Sequence, residues 1–253
     1  MALANVGSHE DNVEEIIKKG VPGIALRLAR PDLSPEPDIR RYAQFVVANL
    51  TAHDFMLEEL GREGAVESLV ELSTAEDANC RCLALTALRR LAQAQVNRRP
   101  IVIAGGLPAF ELSVRSGHAE TQREVAAGLC HLTLDDDNKG DVARAPGLLR
   151  GVLGLCQSAD AEVARFACGA LANIAEDVAT HAAIVEAGGE ASRALANLLS
   201  SFDTHADAIA AALPGLSSLA NSPDPECRHN SSIAYRKLAP NLASHTGVRE
   251  HGG

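Results

Sequence analysis

Aromatic residues are scarce in this 253-residue chain. They make up 3% of it, as five Phe, two Tyr and no Trp. Bulky aromatic side chains normally fill an enclosed core or stack on flat ligands. Because hydrophobic residues still amount to 46% of the chain, the interior must be built from Ala, Leu, Val and Ile. The composition therefore predicts many closely packed helices, and it argues against a β-sandwich or a pocket that stacks nucleotide bases.

Basic charge and long apolar runs are also lacking. The chain has 23 Lys and Arg against 33 Asp and Glu, a net charge of −10. Proteins that coat nucleic acid carry the opposite sign, so no nucleic-acid partner is expected. The longest charge-free apolar stretch, Ala208 to Ala220, is interrupted by Pro214 and is too short to span a bilayer. We expect no membrane insertion, and the acidic N-terminal residues predict no signal or transit peptide.

No pattern typical of catalysis or metal binding occurs. The six cysteines match no paired zinc spacing, the nine histidines are scattered, and catalytic and phosphate-binding motifs are absent. The acidic segment Leu134 to Asp141 has Lys139 where a calcium loop needs an oxygen ligand, so we interpret it as a solvated loop with a helix cap. We predict no enzyme activity, no cofactor and no metal. Reduced cysteines indicate the cytoplasm, with the nucleus as the alternative.

What the chain does have is an internal repeat, carried by two independent markers. The first is a glycine that closes a short apolar helix, at steps of 41 to 44 residues: Gly20, Gly64, Gly106, Gly147 and Gly189. The second is an apolar anchor at the end of a longer, Ala-rich helix, with first steps of 41, 41 and 42 residues: Leu50, Leu91, Leu132, Ile174 and Leu242. Two markers with one period predict a repeat protein with three helices in each unit.

The repeat predicts one array over residues 1–253. Its units are expected at 1–53, 54–94, 95–135, 136–177, 178–211, 212–244 and 245–253, of which 178–211 is degenerate and the last begins a further unit. The closing glycine allows the left-handed backbone between two helices. Polar residues nine positions before it in four units are expected to cap the first helix: Asn97, Asn138, Thr180 and Ser244.

The sequence of these units resembles the armadillo repeat. The stretch GALANIAEDVATHAAIVEAGG, from Gly169 to Gly189, is similar to the end of the family's long helix followed by its glycine turn, and SSLANSPDPECRHNSSIAYRKLAPNLASHTGVREHGG is similar to the same unit again. The resemblance implies an all-α, right-handed superhelix of about five to six repeats of ~42 residues. It also implies that the third helix of each repeat lines a concave groove.

Two departures from the family's pattern concern the C-terminal part. Only 23 residues separate Gly189 from the next junction at Ala212, so we expect a shortened unit there. The alternative is a helix over Asp203 to Asn221 that is kinked at Pro214. The final VREHGG, from Val248 to Gly253, begins a repeat without its remaining helices, which predicts a piece of a longer array.

The resemblance also implies where a ligand would bind. Armadillo proteins bind extended peptides through a ladder of Asn on the third helices, and the matching positions here are Asn49, Asn173 and Asn241, with Arg90 and His131 in the second and third units. One turn earlier stand Phe45, Thr86, Ala127, Gly169 and Lys237. The importin-α pattern needs Trp at that position, so recognition of basic nuclear-localisation peptides is not expected.

Five cations fall on this predicted groove although the chain is acidic: Arg41, Arg90, Arg123, Arg165 and Lys237. This asymmetry resembles β-catenin and predicts an acidic peptide ligand. The alternative is that the arginines are solvated and pair with neighbours such as Glu124 and Glu162. We therefore predict a non-enzymatic interaction scaffold for an extended acidic segment. Alternatives are the substrate-recruiting region of a larger enzyme, such as a ubiquitin ligase, and a structural subunit that self-associates through its open C-terminal repeat.

Overall fold

The computed structural model describes residues 15–30, 32–156, 158–180, 183–184, 221 and 228. Within these residues the chain is helical, with short turns and no strand. The helices belong to two compact units, residues 1–112 and 113–253. Several predictions lie outside the described residues: Lys237, Asn241, Ser244 and the choice between a shortened repeat and a helix kinked at Pro214.

Helical residues 15–18 begin the described part of the first unit, and seven α-helices with described bounds follow, the last of which ends one residue beyond the unit. They are α1 (Val21–Ala29), α2 (Pro37–Leu50), α3 (Leu57–Arg62), α4 (Ala65–Leu72), α5 (Ala78–Leu91), α6 (Gln95–Ile103) and α7 (Leu107–Ser113), with a 3₁₀ turn at Asp54–Met56 before α3. Helix α1 packs along α2, and α4 packs against α5. The two longest helices, α2 and α5, end at the predicted anchors Leu50 and Leu91.

The second unit is built around two long helices. Its described elements are α8 (Ala119–Leu132), α9 (Asp136–Arg144), α10 (Pro146–Leu155), α11 (Ala161–Ala175) and a 3₁₀ turn at Val178–Thr180. Helix α8 packs along α11, and α10 also packs against α11. Two residues of α8 and two of α11 are fully buried: Leu129, Leu132, Leu171 and Ile174. The carboxylates of Asp135 and Asp160 cap α9 and α11 by accepting main-chain N–H groups.

Small aliphatic side chains fill the described core, as the composition predicts. Among the largest fully buried side chains of the described residues, Phe110 is the single aromatic, beside Met56 and many leucines. Helix α11 buries Ala167, Ala170 and Ala172 along its length. Such short side chains allow neighbouring helices to approach closely without rings between them.

Of the five predicted glycine junctions, two are correct, two are wrong, and the fifth, Gly189, lies outside the described residues. Gly20 and Gly64 adopt left-handed φ angles of 69° and 95° directly before α1 and α4. At the third junction the left-handed residue is Gly105, with φ of 87°, and not Gly106. At the fourth, Gly147 lies in the first turn of α10, which starts at Pro146 after an extended Ala145. A proline at the first helical position already fixes φ, so no glycine turn is needed there.

The predicted N-caps Asn97 and Asn138 are also wrong, for one shared reason, whereas Ser244 lies outside the described residues. Asn97 and Asn138 lie inside α6 and α9, two residues after the helix start, and both are buried. The side-chain amide of Asn97 donates to the Leu91 carbonyl at 3.1 Å, and that of Asn138 donates to Leu132 at 3.0 Å. The Thr180 hydroxyl donates in the same way to Ile174. These side chains satisfy carbonyls at the end of the preceding long helix, which have no partner within that helix.

Candidate peptide-binding surface

The predicted ladder positions form one stripe on each long helix, with a spacing of four residues. We call α2, α5, α8 and α11 the third helices and name the stripe of each by three positions: 41, 45 and 49 on α2; 82, 86 and 90 on α5; 123, 127 and 131 on α8; and 165, 169 and 173 on α11. All are exposed or half-buried except Ala127 and Gly169. Most other residues in the second half of each helix are buried. The third helices therefore present these stripes to solvent.

In the first unit the stripe of α2 is aromatic and cationic. The rings of Tyr42 and Phe45 meet edge to face with their centroids 6.1 Å apart. The guanidinium of Arg41 lies 5.8 Å from the centre of the Tyr42 ring, and its Nη2 is 2.9 Å from Asp38 Oδ1. Asn49 follows one turn beyond Phe45 on the same face. Tyr42 was not among the sequence-predicted site residues, although the scarcity of aromatic residues singles it out.

The stripe of α5 ends in a basic residue. Arg90 is half-buried in the last turn, next to Arg89, where two positive charges complement the carbonyl end of the helix. Cys82 and Thr86 precede it on the same face and are also half-buried. This stripe therefore offers one cation and two small side chains.

In the second unit, Arg123 is tied to the start of the neighbouring third helix. Its Nη2 lies 2.7 Å from Asp160 Oδ2 and its Nε lies 2.8 Å from the same oxygen. The other oxygen of Asp160 accepts the main-chain N–H groups of Glu162 and Val163, at 3.0 and 3.2 Å. The hydrogen bond from Arg123, with those of the main chain, lowers the pKa of Asp160 below its ordinary value. Arg123 therefore joins α8 to the cap of α11, a role that sequence reasoning missed.

Arg165 is held differently, by a ring. Its guanidinium carbon lies 4.0 Å from the centre of the Phe166 ring, a cation–π distance. Its nearest carboxylate contact is Glu162 Oε1, at 3.9 Å from Nη2. The Phe166 ring also faces His131, with the centroids 6.3 Å apart. Since 42% of the Arg165 side chain is exposed, this cation is positioned by the ring and open to solvent, and the predicted pairing with Glu162 is present but long.

The amide of Asn173, a predicted ladder residue, connects two third helices. Its Nδ2 donates to the Cys130 carbonyl at 3.3 Å and to Thr133 Oγ1 at 3.2 Å, so its donor joins α11 to the end of α8. Between Arg165 and Asn173 the stripe has only Gly169, where a Cβ atom would lie 3.0 Å from Cys130 Sγ. The centre of this stripe is thus buried against Cys130 of α8, and the cation and the amide lie at its two ends.

The described residues contain no group of three or more His, Cys, Asp or Glu side chains placed to hold a metal ion. The segment Leu134 to Asp141, predicted as a solvated loop, is mostly helix α9 with Asp135 as its cap. Lys139 is buried there, and its ammonium lies 2.6 Å from Asp136 and 2.8 Å from Glu176. Burial disfavours its charge, but these two hydrogen bonds outweigh burial and raise the pKa of Lys139.

None of the described helices combines the length and the apolar character that crossing a bilayer requires.

Comparison with known proteins identifies the fold. No family model matches the sequence. Vacuolar protein 8 of Schizosaccharomyces pombe is 28% identical over 188 residues, which cover 74% of this chain, and the match spans 34% of that protein's length. An engineered protein studied by a structural genomics consortium is 25% identical, with a TM-score of 0.63 and coverage of 94% of this chain and 88% of that one.

A further similar structure is that of a designed armadillo repeat protein in complex with the peptide (KR)4. It superposes with a TM-score of 0.61 at 19% identity, covering 94% of this chain and 90% of that one. At this identity the likeness concerns the fold alone. The predicted all-α armadillo architecture is confirmed by these comparisons, whereas the predicted site residues stay a prediction.

Proposed function

We propose that the third helices of this armadillo-repeat fold bind an extended, acidic segment of another protein and that the chain acts as a non-enzymatic scaffold in the cytoplasm. The observation that carries the proposal is Arg165, a solvent-open cation held over the Phe166 ring at 4.0 Å. A planar guanidinium fixed in this way can meet a ligand carboxylate through two parallel hydrogen bonds.

The surroundings of Arg165 favour a main chain that runs along the helix. Gly169, between Arg165 and Asn173, is buried, with Cys130 Sγ 3.0 Å from the position of a Cβ atom, so a ligand meets this stripe at its two ends. The Asn173 amide donor is engaged within the protein, and its carbonyl oxygen can accept a hydrogen bond from a peptide N–H. A ligand would therefore use a carboxylate at one end of this stripe and its main chain at the other.

The proposed ligand is acidic, whereas the peptide bound by the designed armadillo repeat protein is basic. That protein binds (KR)4, whereas the stripes described here carry Arg41, Arg90, Arg123 and Arg165. Like charges would repel a basic peptide. The ion pairs of Arg41 with Asp38 and of Arg165 with Glu162 are solvent-exposed, and such pairs are worth about 0–1 kcal/mol. A ligand carboxylate can therefore displace them at little cost.

The scaffold proposal competes with two others. As the substrate-recruiting region of a larger enzyme, the chain would use the same stripes. As a structural subunit, it would self-associate through its C-terminal repeat. The described cysteines form no disulfide with one another, which supports the cytoplasmic location.

The test is a fluorescence-anisotropy titration with two labelled octapeptides, (DE)4 and (KR)4. We expect the wild type to bind (DE)4 more tightly than (KR)4 and to lose affinity as salt is added. The double substitution Arg41→Gln and Arg165→Gln should weaken (DE)4 binding by about ten-fold or more, as loss of two charge-assisted contacts implies. Arg123 is left intact because it supports the cap of α11.

A matched control is Arg150→Gln. Arg150 is exposed on α10, which is not a third helix, and the substitution removes the same unit of charge. If Arg150→Gln weakens (DE)4 binding as much as one of the third-helix substitutions, only net charge matters and the proposed surface is wrong. Preference for (KR)4 over (DE)4 would overturn the acidic ligand. A mass that rises with concentration in light scattering would favour the structural subunit.

A further inference from the structure

Helix α1 has an exposed apolar face that includes one cation. Ile24 and Leu28 are 55% and 40% exposed, and Leu33 in the following loop is 51% exposed. Together with Arg27 they line an open pocket of about 280 Å³, and we call these four residues the α1 face. Pockets that enclose small molecules have volumes of about 300–1,000 Å³. This smaller, open pocket is therefore suited to side chains of another protein.

The same face is covered in the equivalent helix of the next repeat. Helices α1 and α4 each begin directly after a left-handed glycine, Gly20 and Gly64, so they align with an offset of 44 residues. The two exposed apolar residues of α1 then correspond to Ser68 and Leu72 of α4, and both of these are buried. Helix α2 packs against α4. The α1 face thus has the position of a helix–helix interface that is filled one repeat later.

An ion pair marks that filled interface. Arg40 Nε on α2 lies 2.9 Å from Glu71 Oε1 on α4. Glu71 stands 44 positions after Arg27, so the charge at this position is reversed in α1. A helix that covers α1 as α2 covers α4 would bring its own equivalent of Arg40 to Arg27. An acidic residue there restores the ion pair with its two signs exchanged.

The charge of Arg27 is not neutralised by its described surroundings. Among the described residues, no carboxylate forms an ion pair with it. Asp32, which precedes Leu33, accepts hydrogen bonds from Arg30 Nε and Nη2 at 3.0 and 2.9 Å. Asp32 and, more weakly, Glu67 on α4 raise the pKa of Arg30, so these two acids act on Arg30. The pocket is therefore apolar with one positive charge.

The described third helices of this chain lack the acid that the α1 face requires. The residues equivalent to Arg40 are Arg81 on α5, Gln122 on α8 and Ala164 on α11. None is acidic, and Arg81 repeats the positive charge. A second copy that packed through one of these helices would leave Arg27 unpaired or repelled. The sequence therefore favours another protein as the occupant.

We propose that the α1 face binds an amphipathic helix of a partner protein that carries Asp or Glu at the position equivalent to Arg40. The buried side of α2 indicates the rest of that helix, because Val47 and Ala48 follow Arg40 by seven and eight positions on one face and are both buried. The partner helix therefore has small apolar side chains two turns after its acid. This contact is separate from the third-helix stripes.

The test uses two labelled peptides with the 14-residue sequence of α2, each held helical by a side-chain cross-link on its outer face. One keeps arginine at position 40, and the other carries Arg40→Glu. In anisotropy titrations the wild type is expected to bind the Arg40→Glu peptide about ten-fold more tightly. The protein variant Arg27→Glu should reverse this preference, because it recreates the pair of Arg40 with Glu71. Ile24→Asp should weaken binding of the Arg40→Glu peptide about ten-fold or more.

Two controls separate the local ion pair from other effects. Arg150→Glu makes the same change of charge at an exposed site on α10 and should leave the preference unchanged. The pair Arg41→Gln and Arg165→Gln should also leave it unchanged, since it alters only the third helices.

Equal affinity of the wild type for the two peptides, or binding of neither, would overturn the proposal. So would a preference that Arg27→Glu does not reverse. A dimeric wild type that becomes monomeric with Ile24→Asp in sedimentation would also overturn it, because a second copy would then be the occupant.

Discussion

Arg123 and Asp160 lie 37 residues apart in the chain, yet Arg123 Nη2 lies 2.7 Å from Asp160 Oδ2 and forms an ion pair with it. Asp160 is also the N-cap of α11, so one carboxylate connects two neighbouring third helices and starts one of them. Of the cations on the candidate surface, Arg123 is therefore engaged in holding the fold. Arg165, which rests on the Phe166 ring, is the cation that we propose for binding a ligand carboxylate.

This difference predicts opposite effects for two similar substitutions. Arg123→Gln should lower the thermal unfolding midpoint, because Asp160 loses its charged partner. Arg165→Gln should leave that midpoint nearly unchanged, since its contact with Glu162 is 3.9 Å long and makes no hydrogen bond, and should weaken (DE)4 binding. Calorimetry and anisotropy on both variants check the prediction. Equal losses of stability in the two variants would show that Arg165 is structural as well.

The Asp160 cap predicts a dependence of stability on pH. Hydrogen bonding lowers the pKa of Asp160 in the folded state, so its stabilising effect is present above the unfolded pKa of about 3.9 and is lost as pH falls through the folded value. Asp160→Asn keeps a capping side chain but removes the charge. The wild type should be the more stable at pH 7, and the difference should shrink on acidification. Urea unfolding at several pH values measures it, and a constant difference would contradict the assignment.

The buried Asn97 amide predicts a stability cost. Its two hydrogen bonds, to the carbonyls of Leu57 and Leu91, join three helices, and the residue is 2% exposed. Asn97→Ala removes both of these hydrogen bonds, each of which is worth about 0.5–1.5 kcal/mol. Asn79→Ala, at an exposed site near the start of α5, is the control and should change stability by less than about 0.5 kcal/mol. Chemical unfolding of both variants measures the two changes in the free energy of unfolding. Similar small changes would exclude a bridging role for Asn97.

Two glycines on α10 should respond in opposite directions to the same substitution. A Cβ at Gly151 would lie 2.4 Å from both γ carbons of Val114, which is buried. Overpacking of this kind costs about 1–3 kcal/mol. At Gly154 a Cβ meets nothing within 4 Å, and alanine is better than glycine within a helix by about 0.5–1 kcal/mol. Thermal unfolding of Gly151→Ala and Gly154→Ala should therefore show a loss and a gain. Equal shifts would contradict the packing of α10.

The ends of the long helices could be predicted from the sequence, because the apolar anchor that marks each end is local and recurs in every repeat. Three of them end at the predicted anchors Leu50, Leu91 and Leu132, and α11 ends one residue after Ile174. The Asn97 and Asn138 roles could not be read from the sequence, because a polar residue near a helix start suits a cap as well as a bond to the preceding helix. Their bonds to Leu91 and Leu132 depend on how two helices meet in space.

The helix faces that carry the candidate site residues could be predicted from the sequence, but the contacts that those residues make could not. The spacing of four residues placed Arg41, Phe45 and Asn49 on one face, and the structure has them there. The pairing of Arg123 with Asp160 joins residues 37 positions apart, which no local pattern reveals. Phe166 was overlooked because it stands beside the ladder position, yet its ring orients both Arg165 and His131.

The central claim is that an acidic segment lies along the third helices, and photo-cross-linking tests it most directly. A (DE)4 peptide with a photoreactive group at its centre is irradiated with the full chain, and the attachment sites are mapped by mass spectrometry. The account predicts attachment on α11 and α8 around Arg165, Phe166 and His131, lost when Arg165→Gln is used. Attachment confined to α6 or to the exposed sides of α1 and α10, unchanged by that substitution, would contradict it.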